Sequence, residues 1–259
     1  MTTTNWKSSI TELGHHKINV RGYPLREIIR KLTFAEVVYL TIKGDLPDKA
    51  QARVMDAILC SIVDHALFSP TSLTARFIAS SNPDNIMKGI AGALLTVGSV
   101  TVSPQDTAEI IEEAMLIVNN EGLTKKEAAA KIIAELHMQK RRMPGLGHPL
   151  HPKGDPRSTA LKDVARQNGV WGEKGEMYEA LHNVFNKFHG KSLPINIDGM
   201  MGCVLSELGF KPNEMAGIAA ISFMPGIIAH AVEENCLRKF RFAECEYTGV
   251  PERELPDNI

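Results

Sequence analysis

The chain has 259 residues, 44% of them apolar and 23% charged, the balance of a soluble globular protein able to bury one or two cores. A formal net charge of -1 gives no electrostatic basis for a nucleic-acid or membrane partner, although local basic clusters can still hold phosphates. Met1 to Ser9 has no apolar signal core, no segment is expected to reach membrane-spanning length, and Cys60, Cys203, Cys236 and Cys245 lack CxxC spacing, so free thiols in a reducing cytoplasm are expected.

The sequence reads as helical almost throughout. Leu25, Ile28, Ile29 and Leu32 follow the i, i+3, i+4, i+7 rule and predict a first helix. Thr33-Phe34-Ala35-Glu36 is a capping box, whose threonine and glutamate satisfy free backbone N–H groups; its helix should stop at Gly44. Asp48 should cap a helix running to about His65, with Val54, Ile58, Leu59, Ile62 and Val63 as its buried stripe. Ser103-Pro104 opens another, because proline at the first turn loses no hydrogen bond. Thr124 to Glu127 is a second capping box, and Asp155-Pro156 opens a helix ending near Gly169. Further helices are expected over Glu173 to His189, Met200 to Leu208 and Asn213 to Lys239. Only Lys17 to Val20 and the last fifteen residues suggest extended chain.

Gly, Pro, Lys, Arg and His concentrate between residues 138 and 158. Such a loop between helical blocks marks a lobe junction, where ligand sites are common. Lys140 and Arg141 read as a solvated face, but Arg157 sits in the first turn of the Asp-Pro-capped helix, where N–H groups and the helix dipole already favour an anion. Its guanidinium can clamp a carboxylate through two parallel hydrogen bonds or form a structural salt bridge. His148 follows Gly145-Leu146-Gly147 and precedes Pro149, a setting that lets backbone approach a ligand closely. His151 adds a second imidazole, but two histidines without a nearby carboxylate or thiolate make no zinc site, so no metal is expected. Asp198, in the run Pro194-Ile195-Asn196-Ile197-Asp198-Gly199, is either the cap of the helix from Met200 or a partly buried acid/base with a raised pKa. His65 ends Val63-Asp64-His65, where it can complement a helix dipole or face a site.

Taken in order, these segments resemble the citrate synthase superfamily over most of the chain. Arg21-Gly22-Tyr23, Thr33 to Leu40 and Gly44-Asp45-Leu46-Pro47 are similar to its N-terminal helical pattern. Asp64-His65 with Ser72 to Arg76, Pro144 to His148 with Asp155-Pro156-Arg157, and Pro194 to Asp198 resemble its three site motifs. The resemblance implies an all-α fold with a large domain (1–156 and 209–259) and a small domain (157–208), assembled as a homodimer. It also implies a coenzyme A thioester as substrate or product and a 2-keto acid as partner ligand. Within it, His148 would hydrogen-bond the keto or hydroxyl oxygen and Asp198 would be the acid/base at the acetyl carbon. Arg157 and His65 would bind a carboxylate and its neighbouring oxygens. The backbone of residues 144–147, with Gly145, Leu146 and Gly147, would cradle coenzyme A, with Arg142 or Lys153 near its phosphates.

The chain departs from the family pattern in three places. Synthases carry a Gly-x-x-His-Gly-Gly-Ala motif, whereas Gly92 to Thr101 contains no histidine. That stretch resembles instead the citryl-CoA lyase module of ATP-citrate lyase. Phe223 stands where the family's Ser-Arg-x-x-Gly-x-Ile-Ala-His helix has a carboxylate-binding arginine. The long N-terminal extension of synthases has no counterpart. Loss of the enol-stabilising histidine favours retro-aldol cleavage of a 3-hydroxyacyl-CoA to acetyl-CoA and a 2-keto acid, with Asp198 protonating the emerging enolate. Phe223 implies either a cation from elsewhere, such as the partner subunit's Arg241, or a substrate without that carboxylate, such as citramalyl-CoA in place of citryl-CoA. The alternatives are a small citrate or 2-methylcitrate synthase and a non-catalytic subunit that binds coenzyme A thioesters.

Overall fold

The computed structural model describes residues 6–98, 101–237, 246 and 248–254; Arg241, Cys245 and the side chain of Cys236 lie outside them. Strands β1 (Thr11–Gly14), β2 (Lys17–Val20) and β3 (Tyr23–Pro24) form a small antiparallel sheet in that order, with Thr11 opposite Val20. Sequence signals only β2, because β1 and β3 are exposed throughout and carry no alternating apolar pattern. Of the last fifteen residues, those described pair in no sheet.

Apart from one isolated bridge, the other regular elements among the described residues are helical, as expected. Among the described residues are eleven α-helices: α1 (Leu25–Lys31), α2 (Phe34–Lys43), α3 (Lys49–Ser61), α4 (Pro70–Ser81), α5 (Met87–Leu94), α6 (Pro104–Glu121), α7 (Lys125–Met138), α8 (Pro156–Gln167), α9 (Glu173–His189), α10 (Ile197–Glu207) and α11 (Pro212–Leu237). Both capping boxes form, and Gly44 ends α2 in the left-handed conformation that glycine adopts without strain. Asp48 and Gln51 make a third box at α3. Helices α4 and α5 are additions to the sequence reading. α4 starts at Ser69-Pro70, the same serine–proline signal that marks Ser103-Pro104.

Two corrections concern helix ends. α3 stops at Ser61 rather than near His65, and Val63 is exposed. α11 takes carbonyls at this end: Ser222 Oγ donates to Leu59 O in the last turn (2.8 Å) and Gly226 N–H to Val63 O just beyond it (2.8 Å). Pro225, inside α11, has no N–H to give, and the next N–H leaves the helix for this contact. α10 starts at Ile197, not Met200, because Asn196 rather than Asp198 is its cap, accepting from Gly199 N–H at 3.0 Å. α11 also overturns the expectation about length, since Pro212–Asn235 is long and apolar enough to cross a bilayer. In the fold Met215, Ile218, Ala219, Phe223, Ile227 and Ala231 of this helix are core residues.

Two apolar clusters fill the interior. The larger joins α2, α3, α4, α5, α8, α10, α11 and, through Ala108, α6; the smaller joins α6, α7 and α9 around Met177, Tyr178 and Leu181. α10 belongs to both, with Cys203 in the smaller and Met200, Met201, Val204 and Leu205 in the larger. Its N-terminal turn emerges between them at the cavity described next. Cys60 and Cys203 are free thiols, and burial raises the pKa of Cys203, which keeps it protonated.

Candidate active site

The loop Pro144–His148 is tied to the segment before α10 by backbone. Leu146 pairs with Ile195 in an antiparallel bridge, Gly147 N–H donates to Pro194 O (2.8 Å), and Asn196 N–H donates to Gly145 O (2.9 Å). Asn196 Nδ2 adds a bond to Gly147 O at 2.9 Å. The two sequence motifs, fifty residues apart, are thus one unit. Gly145 has φ +72, and a Cβ there would collide with Tyr178 Oη and with the Cα of Gly199. Its need for glycine comes from this backbone contact. Gly145→Ala should therefore cost about 2 kcal/mol through overpacking and positive-φ strain. Calorimetry should show Tm lower by about 5 °C, whereas Gly147→Ala, with φ +80 but only ordinary contact with Leu193 (3.7 Å), should show strain alone and a smaller drop.

A cavity of about 440 Å³ opens in front of this unit. Its wall includes Asp64, His65, Ser69, Thr71, Ser72, Arg142, Gly147, His148, Arg157, Asp198 and Phe223. The first turns of three helices contribute: Ser69 to Ser72 from α4, Arg157 from α8, and Ile197 and Asp198 from α10. Helix N-termini carry free N–H groups and partial positive charge, so their convergence favours an anionic ligand. Ser69, Thr71 and Ser72 are buried polar residues on that wall. Sequence reading misses Ser69 and Thr71, although Ser69-Pro70 is the signal that would have revealed them.

Arg157 holds the site together electrostatically. Its Nε and Nη2 donate to the two oxygens of Asp155 (3.0 and 2.9 Å), and Nη1 donates to His65 Nδ1 (2.9 Å). Asp155 is 1% exposed and also accepts from Arg157 N–H and Ile197 N–H, each at 3.0 Å. Burial alone would raise its pKa, but the guanidinium pair and these N–H groups outweigh burial and hold it below the usual carboxylate range. Arg157 therefore makes the structural salt bridge, and the same side chain lines the cavity.

The histidines enter as hydrogen-bond donors. Arginine always donates, so Nδ1 of His65 is the acceptor and its ring proton sits on Nε2. His148 Nδ1 accepts from Leu150 N–H at 3.1 Å, which places its proton on Nε2 too. Their ring centroids lie 5.6 Å apart. Burial first, then Arg157, pushes both pKa values below 6.5, so both rings are neutral near pH 7.

Asp198 is freed from capping by Asn196, and it faces the cavity with what surface it exposes. Burial raises its pKa to about 6, with Asp155 and Asp106 adding to the rise and Arg157 and a Ser103 backbone hydrogen bond opposing it. A carboxylate with this pKa is ionised at neutral pH yet basic enough to take a proton. Phe223 is 5% exposed and lines the cavity with Ile62, Phe68, Val102 and Ile227. Of the residues assigned to coenzyme A, Arg142 and Gly147 line the cavity. Gly145 and Leu146 do not, and Lys153 is exposed away from it.

Comparisons with known proteins give the family and the fold. A family model for the C-terminal domain of citrate synthase matches residues 47–242. A citrate synthase of Deinococcus radiodurans is 25% identical over 230 residues, spanning 87% of this chain but 59% of that protein's length. The solved structure of citryl-CoA lyase from Hydrogenobacter thermophilus superposes with a TM-score of 0.88 at 33% identity, covering 97% of both chains. ATP citrate lyase from Methanothrix soehngenii, solved with citrate and coenzyme A, shares the fold at TM-score 0.80 and 18% identity, over 97% of this chain and 43% of that one.

Proposed function

This chain belongs to the citrate synthase family, and from that premise we propose that it is a carbon–carbon lyase that cleaves a 3-hydroxy-3-carboxyacyl-CoA to acetyl-CoA and a 2-keto acid. The observation that carries the proposal lies between α5 and α6. Thr101 and Val102 line the cavity at the end of the segment where synthases carry their enol-stabilising histidine, and Gly92 to Thr101 contains none. Without that donor, drawing a proton from acetyl-CoA to start condensation loses support. Cleavage starts from the hydroxyl end, where the donors are.

The side chains suggest a path for each proton. His148 and His65 already carry hydrogens on Nε2, so they can polarise the carbinol and carboxylate oxygens but cannot accept a proton there. Asp155 is consumed by Arg157, and Asp64 by His230 and Ala66 N–H. Asp198 is the remaining cavity carboxylate among the described residues. As carboxylate it takes the hydroxyl proton; the alkoxide collapses to the keto group as the carbon–carbon bond breaks. The bonding electrons pass to the thioester enolate, and Asp198 returns its proton to the enolate carbon. No proton is gained or lost overall. His148 stabilises the oxygen on which negative charge develops. Coenzyme A would run along Gly147 and Arg142 at the mouth, where the guanidinium meets its phosphates.

The same side chains favour a less anionic substrate. One carboxylate can meet Arg157 and His65, but a second would face Phe223, and an unpaired buried carboxylate costs several kcal/mol. Citramalyl-CoA, which places a methyl group there and yields pyruvate, suits this wall better than citryl-CoA, which yields oxaloacetate. The reading includes a homodimer, as the family resemblance implies, working in a reducing cytoplasm where Cys60 and Cys203 stay as thiols. Incubating each thioester with the protein and following keto-acid release tests it. The expected result is acetyl-CoA plus pyruvate from citramalyl-CoA. Free thiol released from acetyl-CoA and oxaloacetate, with no cleavage of either thioester, would instead assign a synthase.

A further inference from the structure

The turn that presents His65 is strained, and it is held from a distance. Ala66 has φ +50, a left-handed conformation that a residue with a Cβ avoids. Asp64 secures it: Oδ2 accepts Ala66 N–H at 3.1 Å, and Oδ1 accepts His230 Nε2 at 3.0 Å. The His230 tautomer is fixed, because Arg76 Nη1 donates to Nδ1 at 3.4 Å and leaves the ring proton on Nε2 for Asp64. Arg76 is anchored in turn by Glu233 and by Glu234, the latter at 2.6 Å and 7% exposed. The turn is pinned on its other side by the Gly226 N–H bond to Val63 O, and a Cβ on Gly226 would lie 2.7 Å from Asp64 Oδ1. Pro225, Gly226 and His230 therefore make one stretch of α11 into a seat for residues 63–66. Nothing in this chain of contacts reaches the cavity except His65 and Asp64.

We propose that His230 is a positioning residue for His65: it holds Asp64, and through Asp64 the strained Ala66 turn, so that the His65 imidazole is fixed on Arg157 with its Nε2 proton facing the substrate oxygens. This rests on the reading above only in giving His65 a substrate oxygen to hold. Without the His230 bond, Asp64 loses its outer partner, the Ala66 turn relaxes, and His65 leaves Arg157.

The test compares His230→Ala with His230→Gln, whose amide nitrogen can occupy the place of Nε2 and donate to Asp64. One readout needs no turnover: the imidazole resonances of His65 in ¹⁵N-labelled protein, assigned by their loss in His65→Gln. They should shift in His230→Ala and return to the parent position in His230→Gln, with both variants folded by circular dichroism. The second readout is kinetic. His230→Ala should raise KM for the hydroxyacyl thioester on the order of tenfold with kcat changed little, and His230→Gln should restore it, as small displacements of a positioning group allow. An unmoved His65 resonance in His230→Ala, or an equal shift in both variants, overturns the proposal. Should His230→Ala fail to fold, a displaced His65 resonance in His230→Gln overturns it and a parent-like one supports it. A parent protein that cleaves no thioester counts against the lyase reading and leaves the resonance comparison intact.

Discussion

Asp198→Asn should lower kcat for thioester cleavage by about 10²–10⁴-fold, the range spanned by loss of a positioned acid/base. Its pH behaviour should separate this from loss of a structural group. In the parent, Asp198 enters as carboxylate, so kcat/KM should rise with pH, level off above about 6, and fall about tenfold per unit below that. His65 and His148 are held neutral by burial and Arg157, so they add no falling limb on the alkaline side. The residual activity of Asp198→Asn should be flat across the same range. A parent profile that falls as pH rises through 6 would mean that Asp198 enters protonated and that the hydroxyl proton goes elsewhere, ending the single-carboxylate path. Stability should move in the opposite sense to activity. The folded pKa of Asp198 lies above the usual aspartate value of 3.8, so the protonated form is the one folding favours, and that contribution is lost as pH rises from 3.8 through about 6. Asparagine has no such proton to lose. The Tm of Asp198→Asn should therefore gain on the parent across this interval and stay constant above it.

What sequence made legible follows from how local each signal is. Thr33 with Glu36 and Thr124 with Glu127 act within one turn, and both helices begin where those residues predict. The link between Pro144–His148 and Pro194–Asp198 was visible only as a resemblance, because the bonds joining them cross fifty residues. Capping statistics made Asp198 a plausible helix cap; Asn196, two residues earlier, bonds Gly199 N–H and Gly147 O together and leaves Asp198 to the cavity. The sequence places the end of α3 too late because Ser222 and Gly226, more than 150 residues away, take the carbonyls of Leu59 in its last turn and Val63 just beyond it. The glycine run before His148 suggested a cradle for a ligand, yet the crowded side of Gly145 faces Gly199 and Tyr178. In each case the sequence named the residue and the fold supplied its partner.

Phe223→Arg should reverse the substrate preference, raising kcat/KM for citryl-CoA relative to citramalyl-CoA on the order of 10²-fold, the scale set by pairing a desolvated charge. The parent site has little cationic capacity left. Arg157 spends Nε and Nη2 on Asp155 and Nη1 on His65, and the remaining cavity arginine among the described residues, Arg142, sits on an exposed rim. The second carboxylate of citryl-CoA, carried on the carboxymethyl arm of the carbinol carbon, would therefore meet Phe223 and Ile227 without a counter-ion. An arginine at 223 supplies one, beside the Asp64 carboxylate that also lines the cavity. It also buries a charge in apolar surroundings when no substrate is present, so Tm should fall, and addition of oxaloacetate should recover more of that loss than addition of pyruvate. Phe223→Leu is the control: it keeps the wall apolar, costs packing, and should leave the ratio of the two substrates near the parent value. Parent turnover of citryl-CoA as efficient as that of citramalyl-CoA would place a cation from beyond the described residues opposite Phe223, the partner subunit's Arg241 for one. Phe223→Arg would then bring two cations together and lower citryl-CoA turnover instead of raising it.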